Sequence, residues 1–330
     1  MTAAGRAAPQ PPGGPRLLIV KTSSMGDVVH ALPVLADIRR HHPQAVIDWL
    51  VEAPFAAIPQ LHPAVRRVLP MAWRRWRSRL FSAESWRAMA GLRRELRGGG
   101  YDLVLDLQGL LKSALWARQS GAPVLGYDRA TAREPLAACA YRRSAGVPWT
   151  FHAVQRCRLL AAAHLGYAAP DGPPDFGLRA PAPGWMPRAR YAVLIPNASR
   201  PEKLWPERHW VAVGQRCRAL GWLPVVLWGR PDEQTLAERI AAGCDGDVPP
   251  FLRVGEMAAV LAGAQQVVGL DTGFSHLAAA LGRPTLGIYC DHEPGQAGIT
   301  GPGRVASIGG KGQVPARAEV LALFERQIAP

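Results

Sequence analysis

Short apolar runs alternate with amphipathic, helix-like stretches along the first half of the chain. The runs RLLIV, VIDWLVE, VRRVLP and YDLVLDLQ have the character of strands, and helical periodicity covers Val28–His41 and Glu84–Leu96. Short apolar strands separated by helices are typical of βαβ units, in which helices cover both faces of a parallel sheet. The pattern therefore predicts an α/β domain with a doubly wound parallel sheet.

The same alternation restarts after a Pro- and Gly-rich stretch, APDGPPDFGLRAPAPGWMP. We place the boundary there, with an N-terminal domain over 16–180 and a C-terminal domain over 181–330. The Ala-, Pro- and Gly-rich residues 1–15 are expected to be a disordered tail. The second half is predicted to contain strands at YAVLIPNAS, LPVVLWG, FLRV, QQVVGLD and PTLGIY, and helices over Pro206–Leu220, Asp232–Ala242, Glu256–Ala264, from Phe274 onward and over Pro315–Gln327.

Two domains of this kind create a cleft between the carboxyl ends of their sheets, where such folds bind ligands. We expect the last helix to pack back on the N-terminal domain.

The composition is that of a globular protein, with 48% hydrophobic and 19% charged residues in 330. No apolar run reaches the roughly 18–20 residues that span a bilayer, and the start lacks the apolar region of a secretory signal. The chain is expected to stay in the cytoplasm.

Charge is distributed unequally between the two halves. Residues 1–160 contain 23 Lys and Arg against 10 Asp and Glu, whereas residues 161–330 contain 16 against 15. Nearly all of the formal net charge of +14 therefore lies in the N-terminal half. This asymmetry predicts that one domain meets an extended polyanion, which could be a nucleic acid, an anionic membrane surface or a phosphorylated substrate.

The stretch VKTSSMGDVVHALP takes the first strand into a helix through a small polar turn. Asp27 lies at the mouth of that helix, and Lys21 adds a cation nearby. Free N–H groups at a helix N-terminus stabilise an ionised carboxylate. Asp27 can therefore cap the helix, bind a cation or accept a proton from a substrate, and its position alone leaves these roles open.

A matching turn occurs in the second half, in VVGLDTGFSHLAAALGRPTLGIY. Asp271 ends a strand, Thr272 and Gly273 form the turn, and His276 lies in the first turn of the next helix. The helix N–H groups and the Thr272 hydroxyl would suit a diphosphate. The glycine spacing is not GxGxxG, which disfavours a nicotinamide-dinucleotide site.

Two further loops of the second half carry candidate ligand-binding residues. In PNASRPEKLWPERHW, Ser199, Arg200 and Lys203 follow a predicted strand and could neutralise phosphate oxygens. In LWGRPDEQ, Glu233 also follows a strand and could accept hydrogen bonds from ribose hydroxyls. A carboxylate in the first turn of a helix is common, however, so capping is an equal interpretation of Glu233.

The segment AWRRWRSRLFS concentrates arginine and tryptophan. Arginine binds phosphate bidentately, and tryptophan prefers the boundary between apolar and wet surroundings. The segment is therefore typical of a site for a phosphorylated amphiphile or a membrane surface, although nucleic-acid surfaces share this composition. The basic residues of this surface are Arg74, Arg75 and Arg77, which Lys112 and Arg133 could extend.

The motifs VKTSSMGDVVHALP, RRWR, DLQGLLKSA, TAREPLA, KLWPERHW and LAGAQQVVGLDTGFSHLAAALGRPT together resemble the lipopolysaccharide heptosyltransferases of glycosyltransferase family 9. The resemblance covers essentially the whole chain after the tail. The KTSSMGD opening and the Arg-Trp segment are more similar to the first enzyme of that pathway than to the second. The resemblance implies the GT-B fold, in which two Rossmann-like domains face a central cleft.

The resemblance also implies a reaction: inverting transfer of L-glycero-D-manno-heptose from ADP-heptose to the 5-hydroxyl of the inner Kdo of Kdo2-lipid A. Asp27 would be the general base. Neither a metal nor another cofactor, and no nucleic acid, would be required. The enzyme would work at the cytoplasmic face of the inner membrane of a Gram-negative bacterium, against its anionic surface. The implied donor-binding residues are Ser199, Lys203, Glu233, Asp271, Thr272, Gly273 and His276, and the implied acceptor-binding residues are Lys21, Arg74, Arg75, Arg77, Lys112 and Arg133.

Three alternatives compete with this interpretation. A heptosyltransferase could act on another acceptor, such as the heptosylated core or a different glycan. A nucleotide-sugar epimerase with the same two-domain architecture would turn over a nucleotide sugar without an acceptor. A non-catalytic membrane- or nucleic-acid-binding protein would bind polyanions with steep salt dependence and would not depend on Asp27.

Overall fold

The chain is described by a computed structural model that covers residues 14–79, 81–182 and 184–328. It contains two parallel sheets, one in each half of the chain. Most of the predicted tail, residues 1–13, lies outside the described residues. The segment from 166 to 190 joins the two halves, and its described residues form no helix or strand.

Six parallel strands form the N-terminal sheet, and most of their residues are buried, as expected for a sheet covered on both faces. The strands are β1 (Arg16–Val20), β2 (Val46–Glu52), β3 (Val65–Met71), β4 (Leu103–Asp106), β5 (Val124–Tyr127) and β6 (Arg143–Ala145), and the helices are α1 (Met25–Ala31), α2 (Pro33–His41), α3 (Ala57–Gln60), α4 (Trp73–Arg77), α5 (Ala83–Gly98), α6 (Leu111–Arg118) and α7 (Ala153–Leu165).

Five parallel strands form the C-terminal sheet. The strands are β7 (Tyr191–Ile195), β8 (Leu223–Val226), β9 (Gln266–Leu270), β10 (Thr285–Tyr289) and β11 (Val305–Gly309), and the helices are α8 (Glu207–Ala219), α9 (Pro231–Gly243), α10 (Val254–Gly263), α11 (Gly273–Ala280) and α12 (Arg317–Ile328).

Both sheets follow the winding of nucleotide-binding folds. The strand order is β3-β2-β1-β4-β5-β6 in the first sheet and β11-β10-β9-β7-β8 in the second, where a parallel bridge from Val225 to Asp247 extends the edge beside β8. The winding direction reverses between β1 and β4 and again between β7 and β9. Ligands bind outside the carboxyl ends of strands at such reversals.

Three predicted elements differ from the structure. The helix predicted over Val28–His41 is two helices, because Pro33 has no N–H to donate and instead starts α2. The run FLRV is not a strand, since Asp247 already pairs beside β8 and residues 251–253 lead directly into α10. The last helix, α12, packs on the C-terminal sheet and α8 rather than on the N-terminal domain, because its apolar Val320 and Phe324 enter the C-terminal core.

One hydrophobic cluster crosses from one half of the chain to the other. It contains Val28 and Val29 of α1 together with Leu277 and Ala278 of α11, all buried. The two helices therefore pack directly on each other and bring the carboxyl ends of β1 and β9 together. None of the helices within the described ranges is both long enough and apolar enough to cross a membrane.

A buried ion pair joins α2 to α7 beneath the N-terminal sheet. Arg158 donates from Nε to Asp37 Oδ2 at 2.8 Å and from Nη2 to Asp37 Oδ1 at 3.0 Å. Both side chains are less than 5% exposed. Because each charge neutralises the other away from water, loss of either one leaves an uncompensated buried ion.

Asp37→Ala should lower the free energy of unfolding by about 3–5 kcal/mol, because it leaves the Arg158 guanidinium buried without an opposite charge. The exposed pair of Arg239 and Glu207 provides a control, and Glu207→Ala should leave the stability nearly unchanged. Denaturant unfolding of both variants measures the difference. Equal losses of stability in the two variants would contradict the prediction.

Candidate active site

A cavity of about 560 Å³ lies in the cleft between the two sheets. The turn after β1 and the first turn of α1 form one wall, and the turn after β9 and the first turn of α11 form the other. Both walls stand at the carboxyl ends of strands, where open α/β sheets bind ligands. The predicted site residues that line this cavity are Asp27, Arg74, Arg133, Ser199, Lys203, Asp271, Thr272, Gly273 and His276.

The Asp27 carboxylate caps α1 and also faces the cleft. Its Oδ2 accepts the backbone N–H of Ser24 at 2.8 Å, and Arg133 Nη1 lies 3.3 Å from the same oxygen. Burial alone would raise the pKa of Asp27, but the charges of Lys21 and Arg133 and the Ser24 N–H outweigh it and lower that pKa to about 2. The carboxylate is therefore ionised throughout the neutral range.

The turn that carries Asp27 is held by the end of the neighbouring strand. Lys21 is buried and donates from Nζ to the Leu107 carbonyl at 2.9 Å. Gln108 Oε1 accepts the backbone N–H groups of Thr22 at 2.9 Å and of Ser23 at 3.1 Å. These bonds tie the loop after β1 to the loop after β4 at the reversal of strand order.

A second, smaller cavity of about 200 Å³ lies on the N-terminal side of Asp27. Its wall includes Lys21, Arg133 and the buried Arg156, whose guanidinium carbon lies 3.5 Å from the centre of the Trp149 ring. Asp27 and Arg133 line this cavity and the cleft cavity as well. The Asp27 carboxylate thus stands at the junction of a cationic, aromatic cavity and the cleft.

Asp271 is the anionic centre of the opposite wall. Lys203 Nζ lies 2.5 Å from Asp271 Oδ2, and His276 Nε2 lies 3.5 Å from Asp271 Oδ1. Burial alone would raise the pKa of Asp271, but the hydrogen bonds from His276 and Lys203 hold it well below its usual range. The carboxylate therefore keeps a lysine side chain positioned over the start of α11.

The start of α11 offers hydrogen-bond donors to a ligand. Thr272 is the N-cap residue, and its buried Oγ1 has no hydrogen-bond partner within the part of the chain that the structure describes. The first-turn N–H groups of a helix also lack helical acceptors, and they attract anions. A Cβ on Gly273 would lie 2.3 Å from Met25 Cγ, so only glycine allows α11 to start this close to α1.

A histidine pair connects the two walls. His30 on α1 is buried, and its Nε2 lies 3.1 Å from His276 Nδ1. Because His276 Nε2 faces the Asp271 carboxylate, that nitrogen carries the proton, and His276 Nδ1 accepts a hydrogen bond from the His30 Nε2–H group. Burial lowers the pKa of His30 well below its ordinary value, and the nearby His276 and His152 lower it further. His30 is therefore a neutral donor at pH 7.

Glu233 lies outside the cleft cavity, in an adjoining and mainly apolar cavity of about 340 Å³. This cavity shares Ser199, Thr272 and Gly273 with the cleft cavity and is also lined by Phe55 and Trp228. Glu233 Oε2 accepts the backbone N–H groups of Gly229 at 2.9 Å and of Arg230 at 3.1 Å, so this carboxylate caps α9.

Three predicted acceptor residues line neither the cleft cavity nor the smaller cavity beside Asp27. Arg75 and Arg77 are exposed on α4, whereas Arg74 of the same short helix lines the cleft cavity. Lys112 is half-buried on α6, where its Nζ lies 3.3 Å from Ser23 Oγ and 3.9 Å from Glu52 Oε1. Lys112 therefore lies behind the turn that carries Asp27.

The sequence interpretation missed several residues of these cavities. His30 and Arg156 lie on apolar helical faces, and only their apolar neighbours hinted that they are buried. Phe55 and Trp228 had no local signal at all. The residues missed are Met25, His30, Phe55, Arg156, Trp228 and His292.

The model of one protein family, Glycosyltransferase family 9 (heptosyltransferase), matches residues 89–319. The chain belongs to this family. It is therefore a glycosyltransferase, and its relatives are enzymes of lipopolysaccharide biosynthesis. Lipopolysaccharide heptosyltransferase 1 of Pseudomonas aeruginosa is 45% identical over 296 residues, which cover 88% of this chain and 82% of the relative. The enzyme of the same name from Salmonella typhimurium is 42% identical over 295 residues, which cover 88% and 93%.

Solved structures agree with this family membership. The structure of E. coli heptosyltransferase WaaC with ADP has a TM-score of 0.87 and 39% identity, and the match covers 94% of this chain and 99% of that chain. A WaaC structure with ADP-2-deoxy-2-fluoro heptose has a TM-score of 0.83 and 38% identity, and the match covers 95% and 100%. The prediction of a GT-B fold with two doubly wound domains is therefore confirmed.

Gly273→Ala should lower kcat/KM for glycosyl transfer by about tenfold or more, because the new methyl group would force α1 and α11 apart and displace groups that must be aligned. Met25→Gly removes the Met25 Cβ, Cγ and Sδ atoms that the methyl group meets. The double variant should therefore recover part of the loss. Kinetics of the wild type, both single variants and the double variant measure this. A double variant no better than Gly273→Ala would contradict the prediction.

His30→Gln should flatten the dependence of stability on pH. Because the pKa of His30 is depressed in the folded protein, the unfolded chain binds the additional proton, and stability falls as the pH drops below about 6.5. One such proton contributes a slope of about 1.4 kcal/mol per pH unit. Glutamine keeps a donor for His276 but does not titrate. Denaturant unfolding between pH 7 and pH 5 measures both slopes, and identical slopes would contradict the prediction.

Proposed function

We propose that this family 9 enzyme transfers L-glycero-D-manno-heptose from ADP-heptose to the 5-hydroxyl of the inner Kdo of Kdo2-lipid A, with inversion at the anomeric carbon. The observation that carries the proposal is the position of the ionised Asp27 carboxylate, which faces the Lys203–Asp271 pair and the start of α11 across one cavity. Relatives with 42–45% identity are lipopolysaccharide heptosyltransferases 1, which supports this choice of reaction.

The donor would occupy the C-terminal wall. Its adenosine would enter the apolar cavity beside Phe55 and Trp228, within reach of Glu233. Its diphosphate would meet the N–H groups at the start of α11, the unpartnered Thr272 hydroxyl and Lys203. Ser199 lines both cavities and would lie near the diphosphate, while Asp271 and His276 would position Lys203. The WaaC complex with ADP-2-deoxy-2-fluoro heptose supports this kind of donor.

The acceptor would occupy the cationic cavity on the N-terminal side of Asp27. Kdo is an acidic sugar, and Lys21, Arg133 and Arg156 line this cavity. Arg74 would face the acceptor from the cleft. The exposed Arg75 and Arg77 would meet lipid A phosphates or the anionic surface of the inner membrane, so that the enzyme works at its cytoplasmic face. This assignment accounts for the basic N-terminal half without a nucleic acid.

In the reaction, the acceptor hydroxyl oxygen forms a bond to the anomeric carbon while the bond from that carbon to the diphosphate oxygen breaks. The hydroxyl proton passes to Asp27, and ADP leaves on the opposite face. Lys203 and the start of α11 stabilise the negative charge that develops on the leaving diphosphate. Stabilisation of developing charge is usually the largest single contribution to the rate enhancement of an enzyme. We expect no metal to be needed, since these groups carry the charge.

A pKa of about 2 makes Asp27 fully ionised but weakly basic in the unliganded protein. Binding of the acceptor would make Asp27 a stronger base. An acidic sugar that takes Arg133 as its partner withdraws a cation from Asp27, whose pKa then rises toward its ordinary value. The base would therefore strengthen only when the acceptor is in place.

Asp27→Asn should lower the rate of transfer by about 10²–10⁴-fold, because the amide cannot accept the acceptor proton. Its oxygen can still accept the Ser24 N–H, so this variant keeps the cap of α1 and should bind ADP-heptose normally. ADP release from ADP-heptose with Kdo2-lipid A, or its deacylated form, is measured in the presence of EDTA, together with donor affinity by calorimetry.

Equal rates for the wild type and Asp27→Asn would show that Asp27 acts only as a helix cap and is not the general base. Loss of wild-type activity in EDTA would contradict a metal-independent reaction. The heptosylated product of Kdo2-lipid A is offered in parallel. Transfer to that compound alone would assign the enzyme to a later acceptor, and ADP-heptose turnover without any acceptor would favour an epimerase.

A further inference from the structure

An apolar groove runs between α5 and α6 on the N-terminal domain, outside the cavities described above. It has a volume of about 470 Å³ and is lined mainly by Trp73, Trp86, Met89, Leu111, Leu115 and Trp116. Leu111 and Leu115 are one helical turn apart and are 38% and 51% exposed. Apolar side chains that stay in contact with water along a concave surface are typical of a binding site for an apolar ligand.

Cations surround this groove. Arg93 and Lys112 are part of its lining. Arg74 and Arg77 of α4 stand close enough to Lys112 to help lower the pKa of its ammonium group, which burial lowers most. An apolar channel with ammonium and guanidinium groups at its rim fits a molecule that joins a hydrocarbon chain to anionic groups.

The groove is continuous with the turn that presents the proposed base. Lys112 lines the groove and reaches Ser23 Oγ at 3.3 Å, and the next residue, Ser24, donates its N–H to Asp27 at 2.8 Å. Arg74 lines the cleft cavity beside Asp27 and belongs to the same helix as Trp73, which lines the groove. A ligand in the groove can therefore extend its polar end toward the cationic cavity.

We infer that this groove holds an acyl chain of the lipid-linked acceptor while the anionic groups of the same molecule bind Arg74, Arg77 and Lys112. The inference rests on the proposed function and adds a binding site for the part of the acceptor that does not react. A concave channel fits a single chain, whereas contact with a bilayer surface needs a flat or convex apolar face. Each methylene group buried there improves affinity about fourfold.

Leu115→Glu and Leu115→Ser test the inference with and without a new charge, and the exposed side chain makes folding of both variants straightforward. Arg218→Gln, which changes the net charge as Leu115→Glu does, lies exposed on α8 of the C-terminal half, far from the groove lining, and is the control. The value of kcat/KM is measured with detergent-dispersed Kdo2-lipid A and with its fully deacylated form. With the acylated acceptor, we expect Leu115→Glu to lower this value about tenfold or more and Leu115→Ser to lower it less. With the deacylated acceptor, both should stay within about twofold of the wild type, as should Arg218→Gln with either acceptor.

Equal losses with the two acceptors would overturn the inference, because they would indicate damage to the catalytic cleft. Unchanged kinetics, combined with weaker binding of the variants to phosphatidylglycerol vesicles without acceptor, would also overturn it and make the groove a membrane contact. If the wild type transferred heptose to neither acceptor, the proposed function would fail and this inference with it.

Discussion

The contact between the first turns of α1 and α11 is the constraint on which the site depends. These turns belong to different sheets, yet they approach so closely that Gly273 leaves no space for a side chain beside Met25, and His30 Nε2 lies 3.1 Å from His276 Nδ1. The apolar residues behind them form one continuous cluster. The spacing between Asp27 and the Lys203–Asp271 pair is therefore set by packing and not by loops, and a rigid base of this kind allows functional groups to be aligned.

Charge in the unliganded site is already balanced within the protein. Arg133 and Lys21 neutralise Asp27, and Lys203 neutralises Asp271. An anionic ligand entering either side must therefore exchange partners with a carboxylate. Such an exchange costs less free energy than the capture of a free hydrated cation, because these cations are already positioned and Lys21 and Lys203 are already largely shielded from water. It also couples the occupancy of each cavity to the protonation of the carboxylate beside it.

Much of this arrangement follows from local sequence. The apolar runs predicted both sheets, and Asp27 and Asp271 were predicted to lie in the cleft because each follows a buried strand. Other features depend on residues distant in the chain. Arg156 is brought to its cavity by α7, more than 100 residues from Asp27. Phe55 and Trp228 come together only when the two sheets meet.

The wrong prediction for α12 and the uneven placement of the α4 arginines have a similar cause. The periodicity of the last helix showed that it has an apolar face, but nothing in it specified which sheet that face would cover. The WRRWR run showed a concentration of arginine, but a helix of five residues points adjacent side chains in different directions. Only Arg74 therefore turns toward the cleft, while Arg75 and Arg77 do not.

The capping role of Asp27 has a consequence of a different kind. Because this carboxylate helps α1 to form whether or not a ligand is bound, selection for a stable fold retains it even where selection for activity has ceased. A homologue that keeps the aspartate need not be active, so in a pseudoenzyme the loss of function would be recorded first at residues such as Thr272, whose buried hydroxyl has no hydrogen-bond partner among the described residues.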